Sequence, residues 1–138
     1  MDKALNYLAL ARKGGMAELG EEPVGAITRT GKGYLVLVAS DASDHTWRRA
    51  KSFVAGTEQQ CIRVSFSKDE LGFAVGRTSL AIAAITDPAL ALALVKALGE
   101  PEKHKAILET LSAKAEKAKK RKAEANAHKK NVRMGKKK

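Results

Sequence analysis

Residues 34–39 read Tyr-Leu-Val-Leu-Val-Ala, an apolar run that contains no charged side chain. A continuous run of this kind is typical of a strand that is covered on both faces. A second such run spans residues 80–85. Residues 61–66 instead alternate between apolar and polar side chains, which predicts a strand with one apolar face. With a short strand expected at residues 16–19, the sequence predicts four strands.

Helical segments separate these strands, and capping side chains mark where they begin. Asp2, Ser43 and Asp87 each precede apolar residues at helical spacing, and their oxygens can accept from the first free N–H groups. Ser67 and Glu70 have the spacing of a capping box. The predicted helices span residues 2–13, 20–29, 44–55, 67–75 and 88–98. Alternation of helices with buried strands predicts an α/β fold in which a sheet lies between two helix layers.

The positive charge of the chain is concentrated at its C-terminal end. The formal net charge is +11, from 26 basic and 15 acidic residues. Residues 1–113 hold 14 basic and 13 acidic side chains, whereas residues 114–138 hold 12 basic and 2 acidic ones. We therefore expect residues 1–100 to form one folded domain, and residues 101–138 to form a basic tail rich in Lys and Ala.

This tail is predicted to be partly helical, because Ala, Lys and Glu favour helices. Ile107, Leu108 and Leu111 are expected to dock its first part on the body. The rest is expected to be solvated, with disorder from Met134 to Lys138.

The apolar runs and the cysteine count exclude several classes of protein. The longest apolar runs have six or seven residues, far fewer than the ~18 needed to cross a bilayer. The opening Met-Asp-Lys is unlike a secretory signal. One cysteine cannot form an internal disulfide or a zinc cluster. A reduced, cytoplasmic setting without a membrane partner is therefore expected.

The residue types used in catalysis have structural explanations here. Cys61 begins a predicted strand, where a thiol packs as a small apolar group. Glu21 and Glu22 are adjacent carboxylates, but the first turn of a helix favours negative charge without any catalytic role. The histidines lack partners at metal-ligand spacing; they are His45, His104 and His128. We predict no enzymatic activity, no catalytic residue, no metal site and no cofactor.

The tail carries the strongest functional signal in the composition. Twelve basic side chains within residues 114–138 attract a phosphate backbone and displace its counterions. Such contacts supply affinity but do not read bases, so the folded body has to supply specificity. Two other interpretations stay open, namely a tail that only improves solubility and a tail that binds an acidic protein surface.

Five phrases in the body carry a family resemblance. They are LALARKGG (8–15), GEEPVGAI (20–27), LVLVASDAS (35–43), FSKDELGFAVG (66–76) and IAAITD (82–87). In this order and at this spacing they resemble the bacterial YlxQ-type branch of the ribosomal-protein family that binds kink-turn RNA. That family includes archaeal and eukaryotic large-subunit proteins. The tail lies outside the shared domain.

The resemblance implies a three-layer α/β/α sandwich around a mixed four-stranded sheet, with an RNA site at one end. That site is formed by the start of the second helix and the loop before the last strand. Gly20 matches the family's glycine, which lets the backbone approach RNA. Glu22 stands where many relatives have an Asn that reads bases, Pro23 replaces a base-reading Glu, and Ala26 replaces a phosphate-binding Lys. The loop is Gly76-Arg77-Thr78-Ser79.

These departures change the contacts that the site can make. A carboxylate at position 22 accepts from guanine N1 and N2 or cytosine N4, but it cannot donate as an amide does. Arg29, Lys32 and Arg77 are candidate phosphate contacts that compensate for the missing Lys. The predicted RNA-binding residues are Gly20, Glu21, Glu22, Arg29, Lys32, Arg77 and Thr78.

Two functional hypotheses follow. In the first, a monomeric, non-enzymatic protein binds structured RNA, a kink-turn or an internal loop, in ribosomal or translation-associated RNA. In the second, the body is a protein-interaction module that docks on a ribosome-associated factor. Pro23 and Ala26 favour the second hypothesis, because each removes an RNA contact that the family makes.

Overall fold

The computed structural model describes the backbone of residues 2–136 and the side chains of residues 2–126. Helices and strands alternate through the body, and a long helix follows. The elements in chain order are α1 (Lys3–Lys13), β1 (Ala17–Leu19), α2 (Glu21–Arg29), β2 (Leu35–Val38), α3 (Asp44–Val54), β3 (Gln60–Arg63), α4 (Lys68–Ala74), β4 (Ile82–Ile85), α5 (Pro88–Leu98) and α6 (Lys105–Lys136).

The four strands form one mixed sheet in the order β1-β4-β2-β3. β4 runs antiparallel to both β1 and β2, whereas β3 runs parallel to β2. The two central strands are buried at every residue, as their apolar runs predict. Helices α2 and α3 pack together over the sheet, and α1 packs with α4 and α5. The expected three-layer α/β/α sandwich with a mixed four-stranded sheet is therefore confirmed.

The helices begin where their capping residues predict. Asp2 accepts from the Ala4 N–H at 2.8 Å, and Asp87 accepts from the Leu90 N–H at 2.9 Å. Ser67 forms a complete capping box with Glu70. Each bond satisfies an N–H group that the helix itself leaves free, so these helix starts depend on local sequence.

All four strands are shorter than predicted, and β3 and β4 lose two or three residues at one end. β3 ends at Arg63, although two backbone bonds follow it. The Val64 N–H donates to the Val38 carbonyl at 2.9 Å, and the Ser40 N–H donates to the Phe66 carbonyl at 2.8 Å. The neighbouring β2 ends at Val38, so no regular strand lies beside residues beyond Val64. At the start of β4, the Leu80 N–H donates to the Lys68 carbonyl at 2.9 Å instead of joining the sheet. Contacts with other elements therefore set these two boundaries.

The tail forms one continuous helix over the residues described. α6 runs from Lys105 to Lys136, so Met134 to Lys136 are helical where the sequence predicts disorder. Leu111 is buried, and Ile107 and Leu108 pack against the core as expected. Residues 137–138, the remainder of the predicted disordered end, lie outside the described residues. Within residues 2–136, no helix is long and apolar enough to span a bilayer.

Candidate nucleic-acid interface

The sheet has two ends, and every candidate RNA-binding residue lies near one of them. At one end the register aligns Val38 with Ile82 and Arg63, and we call this the Gly20 end. At the other end Leu35 aligns with Ile85 and Gln60. We call this second end the Tyr34 end, because Tyr34 directly precedes β2.

Gly20 connects the start of α2 to the start of β4. Its N–H donates to the Ile82 carbonyl at 3.0 Å, so the predicted helix start lies beside the loop at residues 75–81 that precedes β4. Gly20 has a φ of 98°, in the left-handed region that side chains with a Cβ rarely adopt. The backbone conformation, rather than a lack of space, therefore requires glycine here.

Helices α2, α3 and α4 begin at the Gly20 end, and of these three only α2 has no capping side chain. Ser43 caps α3 and Ser67 caps α4, whereas Gly20 has no side chain to cap α2. Among the described residues, no side chain accepts from the N–H groups of Glu21 or Glu22. Free N–H groups at a helix start carry partial positive charge. This helix start can therefore donate to an anion or to a base acceptor.

The two adjacent glutamates have different surroundings. Glu21 accepts from Arg49 Nε at 2.7 Å, which ties α2 to α3. The Arg49 guanidinium also lies 5.1 Å from the centroid of the Phe53 ring. Glu22 is exposed and forms no ion pair within the described side chains. Glu22 is therefore the free carboxylate at this helix start.

Sequence reasoning missed Arg49. The Glu21–Arg49 contact joins residues 28 positions apart on different helices, and no local pattern indicates it. Its guanidinium neutralises the Glu21 carboxylate at the start of α2.

The loop that faces Gly20 is held close to α4. The Arg77 N–H donates to the Gly72 carbonyl at 2.8 Å. A Cβ on Gly72 would lie 2.7 Å from the Ser79 nitrogen and 2.8 Å from the Arg77 carbonyl oxygen. Arg77 and Thr78 themselves are exposed. Gly72 thus allows the backbone of the loop to rest on α4 while the two candidate side chains face solvent.

Arg29 and Lys32 lie away from this loop. Arg29 is the last residue of α2, and Lys32 lies in the turn that follows it. This end of α2 is about 12 Å along the helix axis from Glu21. Both side chains are exposed near the Tyr34 end. The structure therefore brings Gly20, Glu21 and Glu22 together with Arg77 and Thr78, but it places Arg29 and Lys32 elsewhere.

The segment that carries Arg29 and Lys32 is held by a buried glutamine. Gln59 Oε1 accepts from the Gly33 N–H at 2.8 Å, and its Nε2 donates to the Thr28 carbonyl at 3.1 Å. The Gln59 side chain is only 7% exposed. Sequence reasoning missed this residue, because a polar side chain in a loop gives no sign of burial.

We expect Gln59→Ala to lower the free energy of unfolding by about 2 kcal/mol, because it leaves the buried Gly33 N–H without a partner. The Thr28 carbonyl still accepts from the Gly31 N–H at 3.1 Å. Gln60→Ala is the matched control, since Gln60 bonds only the Glu58 carbonyl at an exposed position. That control should change stability by less than about 0.5 kcal/mol. Urea denaturation measures both variants, and equal stabilities would contradict the role given to Gln59.

Burial affects the single cysteine and one of the histidines. Burial raises the pKa of the Cys61 thiol to about 12, an effect that nearby Lys51 only partly offsets. The thiol is therefore protonated at neutral pH. His104, expected in a polar segment, is instead buried, with Nδ1 3.3 Å from the Gly99 carbonyl oxygen. In the described part of the chain, no cluster of His, Cys, Asp or Glu side chains has the arrangement of a metal site.

Comparison with known proteins adds a sequence relative. No family model matches the chain. The RNA-binding protein YlxQ of Enterococcus faecium is 35% identical over 75 residues, which cover 54% of this chain and 72% of that protein.

Solved structures share the fold. A protein of unknown function from Bacillus halodurans superimposes with a TM-score of 0.65 and 26% identity, over 71% of this chain and 98% of that one. The Giardia lamblia 15.5 kD RNA-binding protein superimposes with a TM-score of 0.59 over 72% of this chain and 84% of that one. At 20% identity, the second similarity supports the fold alone.

Proposed function

We propose, from the premise that this chain belongs to the YlxQ family of RNA-binding proteins, that its Gly20 end binds a structured RNA. The observation that carries this proposal is the uncapped start of α2 beside the Arg77 loop, joined through the bond from Gly20 to Ile82. Backbone donors, a free carboxylate and a cation lie together there. Bases that are splayed out of a helix, as in internal loops, present edges that such groups can bind.

Each group at the Gly20 end has a distinct role in this proposal. Gly20 lets the RNA approach the backbone, because no side chain projects from it. Glu22 accepts from guanine N1 and N2 or cytosine N4. Arg77 provides positive charge for phosphates. The family resemblance implies a base-reading Asn at this position in many relatives. An Asn both donates and accepts, whereas a carboxylate only accepts, so Glu22 restricts the bases that can be bound.

The class of RNA is inferred from the five sequence phrases that resemble a known family. Because they resemble a ribosomal-protein family that binds kink-turns, we place the target in ribosomal or translation-associated RNA, as a kink-turn or a related internal loop. Crosslinking in cells followed by sequencing of the bound RNA tests this assignment. Recovery of internal-loop segments supports it, and recovery of unstructured RNA alone contradicts it.

We expect the combined change Gly20→Asp and Arg77→Ala to abolish the preference for a structured RNA over a random-sequence RNA. The aspartate places a carboxylate on the free N–H groups and strains a backbone with a φ of 98°. Losing these contacts should cost about 2 kcal/mol, or roughly 30-fold in relative affinity. Competition binding at fixed salt concentration measures the preference.

Gly15→Asp combined with Arg12→Ala is the matched control for this experiment. Gly15 also has a positive φ, 71°, so the backbone strain is similar, but the changes lie near the Tyr34 end, since the Thr86 N–H donates to the Met16 carbonyl. We expect the control to keep its preference for structured RNA. If the Gly20 and Arg77 variant stays folded and keeps the preference as well, the proposed site is wrong.

One surface favours the alternative function, docking on a ribosome-associated protein. Phe73 on α4 is 75% exposed. It lines a shallow groove with Leu5 and three carboxylates, those of Asp2, Asp69 and Glu70. Exposed apolar surface with a polar rim is characteristic of protein interaction sites. Binding of a partner protein after nuclease treatment, with no RNA binding by the body at moderate salt concentration, would favour this function.

A further inference from the structure

The tail helix crosses the body from one end of the sheet to the other. Just before α6 begins, His104 lines a cavity with Arg63 and Val64, near the Gly20 end. Further along the helix, Lys114 Nζ lies 2.5 Å from Glu58 Oε2, near the Tyr34 end. Hydrogen bonding and charge from Lys114 lower the pKa of the Glu58 carboxyl. The tail therefore leaves the body at the end opposite the proposed RNA site.

Beyond Lys114 the helix continues for 22 residues to Lys136, a length of about 33 Å at the rise of an α-helix. The side chains of residues 116–126 are all exposed. Together with the length of α2, this places the far part of the tail on the order of 40 Å from Gly20.

The charge on this helix surrounds its axis. Five of the six residues at positions 117–122 are basic, namely Lys117, Lys119, Lys120, Arg121 and Lys122. At about 100° per residue these side chains project on all sides of the helix. A membrane-binding helix needs an apolar face opposite its charges, and this segment has none. A polyanion that follows or encloses the helix fits this arrangement.

Arg29 and Lys32 extend the same positive surface onto the body. Gly31, which lies between them in sequence, lines one cavity with Tyr34, Glu58 and Lys114. The shared cavity places the turn that carries the exposed Arg29 and Lys32 near the base of the tail. Within the described side chains, neither residue forms an ion pair.

We propose that Arg29, Lys32 and the basic residues at positions 117–122 of α6 form a second surface that binds the phosphate backbone of RNA. This inference rests on the proposed function, since it names a second segment of the same RNA. One chain would then hold the structured element at its Gly20 end and a separate stretch of RNA along its tail. Such a protein fixes the position of one RNA segment relative to another.

Site-directed cleavage with a tethered iron chelate tests the proposal in the full chain. Cys61→Ser removes the native thiol, and single cysteines are introduced as Ser40→Cys at the Gly20 end or Ala123→Cys on the tail. Both positions are exposed and lie outside the proposed contacts. The RNA is an internal loop flanked by long duplex arms. We expect the Ser40→Cys probe to cut near the loop, and the Ala123→Cys probe to cut a separate region of an arm.

The proposal would be overturned if the two probes cut the RNA at the same place. It would also be overturned if the tail probe cut no RNA, which is the result expected if the tail binds only an acidic protein. Changing Arg29, Lys32 and the five basic residues at positions 117–122 to Gln should abolish the arm cuts and keep the loop cuts. Because Gln has a high helix propensity, we expect α6 to stay helical in this variant. A loss of arm cuts would then reflect the lost positive charge. In a further outcome, the Ser40→Cys probe cuts every RNA tested without preference, while the Ala123→Cys probe still cuts one region of an arm. That result would contradict the proposed function but support the second surface.

Discussion

A chain that ends at Lys114 should lose most of the salt dependence of its RNA binding. The removed residues 115–138 hold 11 basic and 2 acidic side chains. Six phosphate contacts, about half of these basic groups, correspond on a duplex to a change of about 5 in the slope of log affinity against log salt concentration. The intact chain should weaken by about 10³-fold between 50 and 200 mM salt, and the shortened chain much less. Fluorescence anisotropy titrations over this salt range measure the slopes.

The shortened chain keeps the parts that the fold needs. Leu111 remains buried against the core, and the Lys114–Glu58 ion pair is retained. Because the Gly20 end is intact, the preference for structured RNA should survive while affinity falls. Replacing only the basic residues at positions 117–122 with Gln should give an intermediate slope. An unchanged slope in the shortened chain would show that the tail does not contact phosphate.

Gly72→Ala is expected to destabilise the fold and displace the Arg77 loop together. The new methyl group would lie 2.7 Å from the Ser79 nitrogen and 2.8 Å from both the Arg77 oxygen and the Ser79 Cα. These are backbone atoms, so the loop itself has to move. Overpacking of this kind costs about 2–3 kcal/mol, which exceeds the ~1 kcal/mol that alanine gains over glycine within a helix. The free energy of unfolding measured by urea denaturation and the preference for structured RNA should therefore both fall.

Gly25→Ala is the matched control for this substitution. Gly25 is also a buried helical glycine, but its added Cβ would meet the end of the Phe53 ring at 3.1 Å. A ring can shift by a few tenths of an ångström more easily than a loop backbone, so we expect little loss of stability. If Gly72→Ala is as stable as the unmodified chain and binds RNA with the same preference, the close contact between α4 and the loop does not position Arg77.

Local signals predicted much of the fold and one part of the candidate site. Continuous apolar runs identified the central strands, because both of their faces need apolar cover. Asp2, Ser67 and Asp87 identified helix starts, because a cap acts within three residues. Family phrases predicted that Gly20 faces the loop before the last strand, and the bond to Ile82 places them together. Whether these residues bind RNA stays a prediction.

Contacts between distant segments were not predictable from the sequence. The Glu21–Arg49 ion pair and the hydrogen bond from Gln59 to the Thr28 carbonyl join residues 28 and 31 positions apart. Residues such as Arg29 and Lys32 seemed equivalent to Arg77, since each is a basic residue next to a turn. Only the direction of α2 across the sheet separates them.

The amino-acid sequence by itself determined the order of the elements, the family, and the concentration of positive charge in residues 114–138. The order of the elements and the family follow from residues that are near each other in the sequence, and the position of the charge follows from a count of residues. The tertiary structure decided where that charge goes, because the burial of Leu111 and the ion pair from Lys114 to Glu58 set the path of α6. Packing against the body directs the tail away from the Gly20 end, and no property of the tail sequence alone determines that direction.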